Sequence, residues 1–439
     1  MNIDHLIIGG GLAGTTIAVH LHQRGLPFVL IEATTRLGGK IETKWTQEGC
    51  FEFGPNSFTN KSNDIFELLR LLQLEEDLIV PDPRAQHRYI LKGGKILALP
   101  QKPQDLFTSP VLSLTGQLRF LREIAYVPDK PPEEESVWDF FARHFGPEVA
   151  NYFADPFVSG IYAGDVHRLS LSAAFPTMSQ AEIDSGSLLR YLIGRKKLHK
   201  TSPQIYQLKQ GLESIFIRAR EQLPAHALHF SELPLEIIPD SSGVKVVTDR
   251  RTYHAQQLYL TVPAYIAAQL LKKSIPELSV LEQIHYAPVI TAHLRVTRSE
   301  SYPFAGFGML IPSLENRAIL GVLWNSSSFP ELFRNQRYHY LTVYAGGMHH
   351  PDQVDLSAEQ LRSLIHQEVR RLFHLKESPE ILHMRRHPQA IPQYELGYGK
   401  IIEKTERALA PYPAIRLAGN YLGGISMPDT VAHAAALVI

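Results

Sequence analysis

Residues 3–14 read Ile3-Asp4-His5-Leu6-Ile7-Ile8-Gly9-Gly10-Gly11-Leu12-Ala13-Gly14. Ile3–Ile8 is a short, mostly apolar run of strand length. It breaks on glycine, a helical stretch follows to about Arg24, and Gly25-Leu26-Pro27 turns the chain into a second apolar run, Phe28–Ile31, closed by Glu32. Strand, helix and strand of these lengths make a βαβ unit. Gly9 permits a tight turn, Gly11 lets backbone approach a pyrophosphate, and Gly14 lets helix and strand pack closely. Gly10, Leu12 and Ala13 then present their amides with the positive helix end to an anion. Glu32, at the next strand end, is placed to accept hydrogen bonds from ribose hydroxyls. This much predicts a dinucleotide, without separating FAD from NAD.

The next residues separate the two. Glu32-x-x-x-Arg36-x-Gly38-Gly39-Lys40 adds a second glycine pair for which a nicotinamide enzyme has no need. Extended FAD runs past this loop and requires close approach of the chain. Gly54-Pro55-Asn56-Ser57 is a further close-approach turn after Phe51 and Phe53. At the far end, Ala418-Gly419-Asn420 and Gly423-Gly424-Ile425-Ser426-Met427 precede a helical segment whose positive end can face a flavin carbonyl or ribityl chain. FAD is therefore the expected cofactor. No second GxGxxG unit is present, so reduced flavin is expected to be reoxidised by oxygen or another diffusible acceptor.

The 439 residues call for two or three domains. Apolar residues make up 44% and charged residues 20%, as in an ordinary folded protein. Lys+Arg and Asp+Glu are equal at 44 each, which gives no long-range pull toward nucleic acid. The single cysteine, Cys50, excludes an internal disulfide framework and CxxC zinc or redox motifs. No signal peptide or membrane span is read, and a cytoplasmic location, peripheral on the inner face of the cell membrane, is expected. His349-His350 and the pair His383/His387 lack a ligand set with metal spacing and read as solvated or core histidines.

Further along, Ser62–Leu74 has helical spacing. Residues 100–200 read as mainly helical, with a break at Pro128–Glu135. Leu235–Ile238 and Val244–Thr248 read as strands around a Ser-Ser-Gly turn, and Gln257–Val262 as another strand. Residues 285–350 look strand-rich, Leu361–Leu375 helical, and the tail from Ile415 a strand, a glycine turn and a helix.

The segment Glu32 to Lys40, together with Gly419-Asn420, resembles the flavin amine oxidase superfamily. Asp155-Pro156-Phe157-Val158-Ser159-Gly160-Ile161-Tyr162-Ala163-Gly164-Asp165 with Leu169-Ser170 is similar, more narrowly, to the oxygen-dependent protoporphyrinogen/coproporphyrinogen oxidase family. So is Gln389-Ala390-Ile391-Pro392-Gln393-Tyr394 followed by Gly397. Gly306-Phe307-Gly308, Ser326-Ser327-Ser328-Phe329-Pro330 and Gly346-Gly347 fit the same family in the same order, and the resemblance runs from near Ile3 to near Ala435.

The fold this implies is a multi-domain α/β (α+β) molecule. A Rossmann-like FAD-binding domain is assembled from residues 1–60, 203–264 and 384–439, a mixed-sheet substrate domain from 61–92 and 265–383, and a helical membrane-associating domain from 93–202. The activity implied is six-electron oxidation of protoporphyrinogen IX to protoporphyrin IX in porphyrin and heme biosynthesis, with oxygen reduced to hydrogen peroxide. The implied partners are a porphyrinogen and oxygen, with handover to a ferrochelatase, peripheral membrane contact and a homodimer. No nucleic acid is implied. The flavin carries the chemistry, and no separate catalytic acid–base set is expected.

By the same resemblance, Arg88 pairs with a substrate propionate, Phe307 packs on the macrocycle, and Asn56 lies beside the flavin and orients substrate. Leu235 touches the adenine end through its backbone. His387 stands where many members carry tryptophan, which makes the flavin surroundings more polar if it touches the ring. From residue pattern alone, Arg88 reads rather as a surface arginine at a strand start, and Phe307 almost as readily as a core phenylalanine. Leu114, Leu118 and Leu121 share a helix face, with Phe107, Val111 and Leu112 nearby and Arg119 and Arg122 flanking; a bilayer interface and internal packing fit that face equally. Three other functions stay open: coproporphyrinogen III oxidase, a flavin amine oxidase or carotenoid desaturase, and a non-catalytic FAD-binding protein.

Overall fold

The computed structural model describes residues 1–100, 105, 109–126, 132–196, 204–240, 243–299 and 304–438. Asn2–Ile8 and Phe28–Glu32 lie side by side and parallel, with the helix Leu12–Gln23 crossing between them. Phe28–Glu32 is buried throughout, as its continuous apolar sequence requires of a strand covered on both faces. Leu228–Phe230 extends this sheet parallel at one side. At the other, Thr252–Leu260 pairs parallel with Asn2–Ile8 and with Ile415–Leu417, and an antiparallel meander through Gly243–Thr248 and Pro234–Asp240 completes it. The chain's two ends therefore meet in one sheet. The C-terminal helix Met427–Ala436 packs beside Leu12–Gln23, burying Val431 and Ala434 with Ile17 and Leu21.

A second sheet runs in the order Glu380–Pro392, Tyr286–Thr297, Tyr338–Gly346, Ile319–Leu323, Gly308–Leu310, Arg88–Lys92, Lys95–Ala98. All its pairings are antiparallel except that of Gly308–Leu310 with Arg88–Lys92. The helix Ala358–Phe373 covers one face with Leu361, Ile365, Val369 and Leu372, which recur at helical spacing. Its start is fixed by a capping box, with Ser357 and Gln360 each bonding the other's backbone amide. A small sheet of Phe58–Thr59, Ile205–Leu208 and Leu78–Ile79 joins the two regions. Residues between the sheets are largely helical, including Val137–Phe145, Asp155–Tyr162 and Pro176–Ser185. There the buried His144 ring lies 3.0 Å from Glu123 and 3.1 Å from Glu182, tying three segments together.

The mixed α/β architecture agrees with the sequence reading, and several details differ. The strand expected at Gln257–Val262 runs over Thr252–Leu260, because its alternating first half pairs with the meander. The helix carrying Leu114, Leu118 and Leu121 begins only at Leu114, capped by Ser113. Val111 and Leu112, expected near its apolar face, are buried in the protein instead, whereas the three leucines are exposed. Phe107, Ser241 and Ser242 lie outside the described residues, as do 128–131 of the expected break. Among the described residues, no helix is long and apolar enough to cross a membrane.

Candidate functional site

The glycine loop is built as a cradle. Gly9 adopts φ +106°, a left-handed conformation that favours glycine, and donates to Ile31 O at 2.8 Å. A Cβ on Gly14 would stand 1.9 Å from Gly9 O, so helix and strand touch backbone to backbone there. A Cβ on Gly11, by contrast, would meet nothing within 4 Å. The helix that starts beyond Gly11 has no side-chain cap and no acidic residue in its first turn. Uncapped amides and open space at the positive end of a helix are the chemistry of a pyrophosphate site, so the residues present fit an extended dinucleotide.

Glu32 closes this loop. One carboxylate oxygen accepts from Gly10 N at 2.7 Å, the other from Thr34 N and Thr34 Oγ1 at 2.8 Å each. A carboxylate offers more acceptor sites than these three bonds use, which leaves room for a ribose hydroxyl. Gly38 N donates to Gly10 O at 2.8 Å, bringing the second glycine pair onto the first loop, and Gly39 lies against Gly11. Arg36 braces the turn from outside, donating to the carbonyls of Leu37, Gly39 and Ile41 and pairing with Glu42 and Glu213.

Lys40 reaches into the far end of the second sheet. Its Nζ donates to Gln389 O at 2.5 Å and Ala390 O at 2.7 Å, and burial lowers its pKa to about 8. The turn Gly54-Pro55-Asn56-Ser57 sits on the same place, with Gly54 packed over Lys40 O. His387 joins it, its Nε2 donating to Phe53 O at 2.7 Å, and burial lowers its pKa too. It is thus a neutral ring with Nδ1 as acceptor. Tyr394 Oη donates to Asn420 O at 2.8 Å and accepts from Gly424 N at 3.2 Å, which brings the Gln389–Tyr394 segment to the C-terminal glycines beside Gly419. Ser426 caps the last helix, Met427 is buried in its first turn, and Ile425 packs against the core. Leu235 stands apart, exposed at a break in strand register between Pro234 and Glu236, although the adjoining Ser231 and Glu232 amides reach Thr34 O and Glu32 O.

On the second sheet, Arg88 pairs with Gly308 across parallel strands, and its guanidinium lies 5.8 Å from the centre of the adjoining Phe307 ring. Arg88 is exposed and Phe307 half-buried. Phe307 O accepts from Trp324 N at 3.0 Å, and the next residue, Asn325, donates through Nδ2 to Asn56 Oδ1 at 2.8 Å. The three residues named from sequence on this side are therefore joined by one short stretch.

Sequence reading missed the polar groups behind Asn56. Gln207 Nε2 donates to Asn56 O at 2.7 Å and to Glu52, which also accepts from Thr43 Oγ1 and Leu212 N, both at 2.8 Å. Thr342, Tyr344 and His293 lie beyond, on the strands Tyr338–Gly346 and Tyr286–Thr297, where nothing in the sequence set them apart from the other polar residues of those strands. Asp429, too, had no reading. It pairs with Lys61 at 2.8 Å and receives the Ser426 hydroxyl, fixing the start of the last helix.

Burial pushes Glu52 up to about 8 from an ordinary value of 4.5, outweighing its three donors. A carboxyl raised on folding contributes stability below about 4.5 that is lost as pH rises through about 8. Glu52→Gln keeps an oxygen for Gln207 and Leu212 and turns its amide to Thr43. Its melting temperature relative to the unmodified chain is expected to climb from pH 5 to pH 8; a difference independent of pH would show that Glu52 titrates normally.

The family described as flavin containing amine oxidoreductase matches residues 12–438. Protoporphyrinogen oxidase 1, chloroplastic, of Spinacia oleracea is 29% identical, the match covering 97% of this chain and 81% of that protein. Coproporphyrinogen III oxidase of Bacillus subtilis (strain 168) is 27% identical, over 99% of this chain and 96% of that one. A crystal structure from Exiguobacterium sp. 255-15, provisionally named a protoporphyrinogen oxidase, superposes with a TM-score of 0.85 at 24% identity, covering 99% of this chain and 98% of that chain.

Proposed function

We propose a specific reaction from one premise: the chain belongs to the flavin containing amine oxidoreductase family and is an FAD-dependent oxidase. Its substrate, on this reading, is protoporphyrinogen IX, oxidised to protoporphyrin IX. Six hydrogens leave the macrocycle in three two-electron rounds, and three oxygen molecules become three of hydrogen peroxide. The observation that carries the reading is the exposed Arg88 beside the Phe307 ring. A cation adjoining an aromatic face suits an apolar macrocycle with carboxylate tails. Coproporphyrinogen III is the second reading, favoured by the Bacillus subtilis relative of that name at nearly the same identity. Aerobic assay of the purified protein with each porphyrinogen, following porphyrin fluorescence and peroxide together, tests both; no porphyrin from either would overturn the assignment.

FAD, when bound, supplies the two-electron acceptor. The chain's own work is binding and orientation. Gly9–Gly14 with Glu32, Arg36 and Gly38–Lys40 hold the nucleotide on this reading, and Gly54–Ser57, His387, Gly419–Asn420 and Ile425–Met427 hold the ring end, with Leu235 at the adenine end. Arg88 grips a propionate, Phe307 supports the macrocycle, and Asn56 orients the reacting partners. Aromatisation drives the reaction, so placing a meso carbon over the acceptor is the main requirement. Residues 1–60, 203–264 and 384–439 form the FAD-binding unit of this proposal, 61–92 and 265–383 the substrate unit, and 93–202 the helical unit.

Leu114, Leu118, Leu121 and Ile124 expose 78%, 62%, 41% and 41% of their surface, with Arg119 and Arg122 in the same helix. That face supports peripheral attachment to an anionic bilayer, where a poorly soluble porphyrin can be handed on to a ferrochelatase. A cytoplasmic location and a homodimer belong to the same reading. Replacing Leu114 and Leu118 by serine removes about 3 kcal/mol of apolar transfer, on the order of 100-fold in partitioning. Co-sedimentation with anionic liposomes measures this; equal binding by the double variant would remove the helix from the membrane face.

A further inference from the structure

We infer that Asn325, anchored through Thr342 to His293, is a positioning residue that fixes which way the Asn56 carboxamide faces, and that the donors thereby presented serve the flavin and not the porphyrinogen. The inference rests on the reading that Asn56 borders the flavin.

A carboxamide has an accepting end and a donating end of similar shape, so its orientation is set by its partners. Asn56 Oδ1 accepts from Asn325 Nδ2 at 2.8 Å, and Asn56 Nδ2 donates to Tyr344 Oη. Asn325 is held in turn, because the Thr342 hydroxyl donates to its Oδ1 at 2.7 Å. A hydroxyl has one proton. Having given it to Asn325, Thr342 Oγ1 accepts from His293 Nδ1, 3.0 Å away. Burial holds His293 down to about 3, so the ring is neutral across the physiological range and carries one proton, placed on Nδ1 in this arrangement. Thr342 and His293 are almost wholly buried and lie opposite one another on adjacent strands of the substrate sheet, Tyr338–Gly346 and Tyr286–Thr297. The chain thus runs from the rigid interior of that sheet to the turn at Asn56.

The direction has a chemical consequence. Asn56 Nδ2 carries two protons and gives one to Tyr344, whose oxygen accepts it and keeps its own proton. The pair therefore offers an N–H and an O–H side by side. The pyrroles of a porphyrinogen are themselves N–H donors and cannot pair with donors, and its accepting propionates are assigned on this reading to the Arg88 side. The carbonyl and ring-nitrogen edge of a flavin is an array of acceptors, and electron density grows there on reduction. Donors fixed at such an edge favour the reduced form.

Thr342→Val removes the hydroxyl while keeping the side-chain shape and leaves Asn56 free to turn over. The holoenzyme variant is expected to bind flavin, to show a more negative flavin midpoint potential by substrate-free potentiometric titration, and to lose about tenfold in kcat with KM for the porphyrinogen unchanged. Thr342→Ser is expected to restore both. Should Thr342→Val not fold, Asn325→Ala at a half-buried position carries the same expectation. An unchanged potential in the loaded variant, or a raised KM with kcat intact, would overturn the inference. Because the potential is read without substrate, failure of the unmodified protein to oxidise any porphyrinogen would sink the functional reading alone.

Discussion

Gly11→Val is expected to yield a folded, colourless protein. A Cβ at residue 11 would meet no protein atom within 4 Å, so the fold has room for a side chain there. That room lies at the uncapped start of the helix Leu12–Gln23, where the proposed FAD site brings a pyrophosphate onto backbone amides. Loss of that contact is expected to weaken FAD binding on the order of 100-fold or more, about 3 kcal/mol. Flavin absorbance per mole of purified protein, alongside a thermal melt, measures the two effects separately. Gly14→Val makes the opposite prediction: its Cβ would overlap Gly9 O at 1.9 Å, so the βαβ unit itself should fail and cooperative melting should be lost. A yellow Gly11→Val protein would remove the loop from the cofactor site.

Arg88→Ala is expected to leave flavin content and melting unchanged and to raise KM for the porphyrinogen by about 10- to 100-fold. A hydrogen bond to a charged group contributes about 1.5–3 kcal/mol, which gives that range. The side chain is exposed, and its recorded neighbour is the Phe307 ring, so the fold does not depend on it. Arg88→Lys should recover only part of the loss, because an ammonium offers a point charge in place of a planar two-pronged donor. Steady-state kinetics with the dicarboxylate and tetracarboxylate porphyrinogens checks both variants. An unchanged KM for each would take Arg88 out of the site and remove the main support for a porphyrinogen.

What was legible in the sequence was whatever backbone geometry imposes on residue type. Gly9, Gly11 and Gly14 are spaced by the needs of one turn and one helix start, and Glu32 follows at the next strand end; these are local constraints, so the βαβ unit and its glycine turn were legible. The apolar strands and the helix around Leu361–Phe373 were legible for the same reason, since burial of one face repeats at a fixed period. Leu114, Leu118 and Leu121 marked a helix face equally well. Periodicity does not distinguish a face turned outward from one packed on its own domain, and only the tertiary structure separates them from the buried Val111 and Leu112.

Contacts between distant segments had no such signature. Asn56 meets Asn325 across 269 positions, and Lys40 meets Gln389 and Ala390 across 349 and 350. Nothing in the spacing of Thr342 or His293 says that a threonine hydroxyl would pass its proton toward Asn56. Local pattern records what each segment needs from its own backbone. Which polar group answers another depends on how the two sheets are set against each other, and that arrangement arises from packing summed over the whole chain.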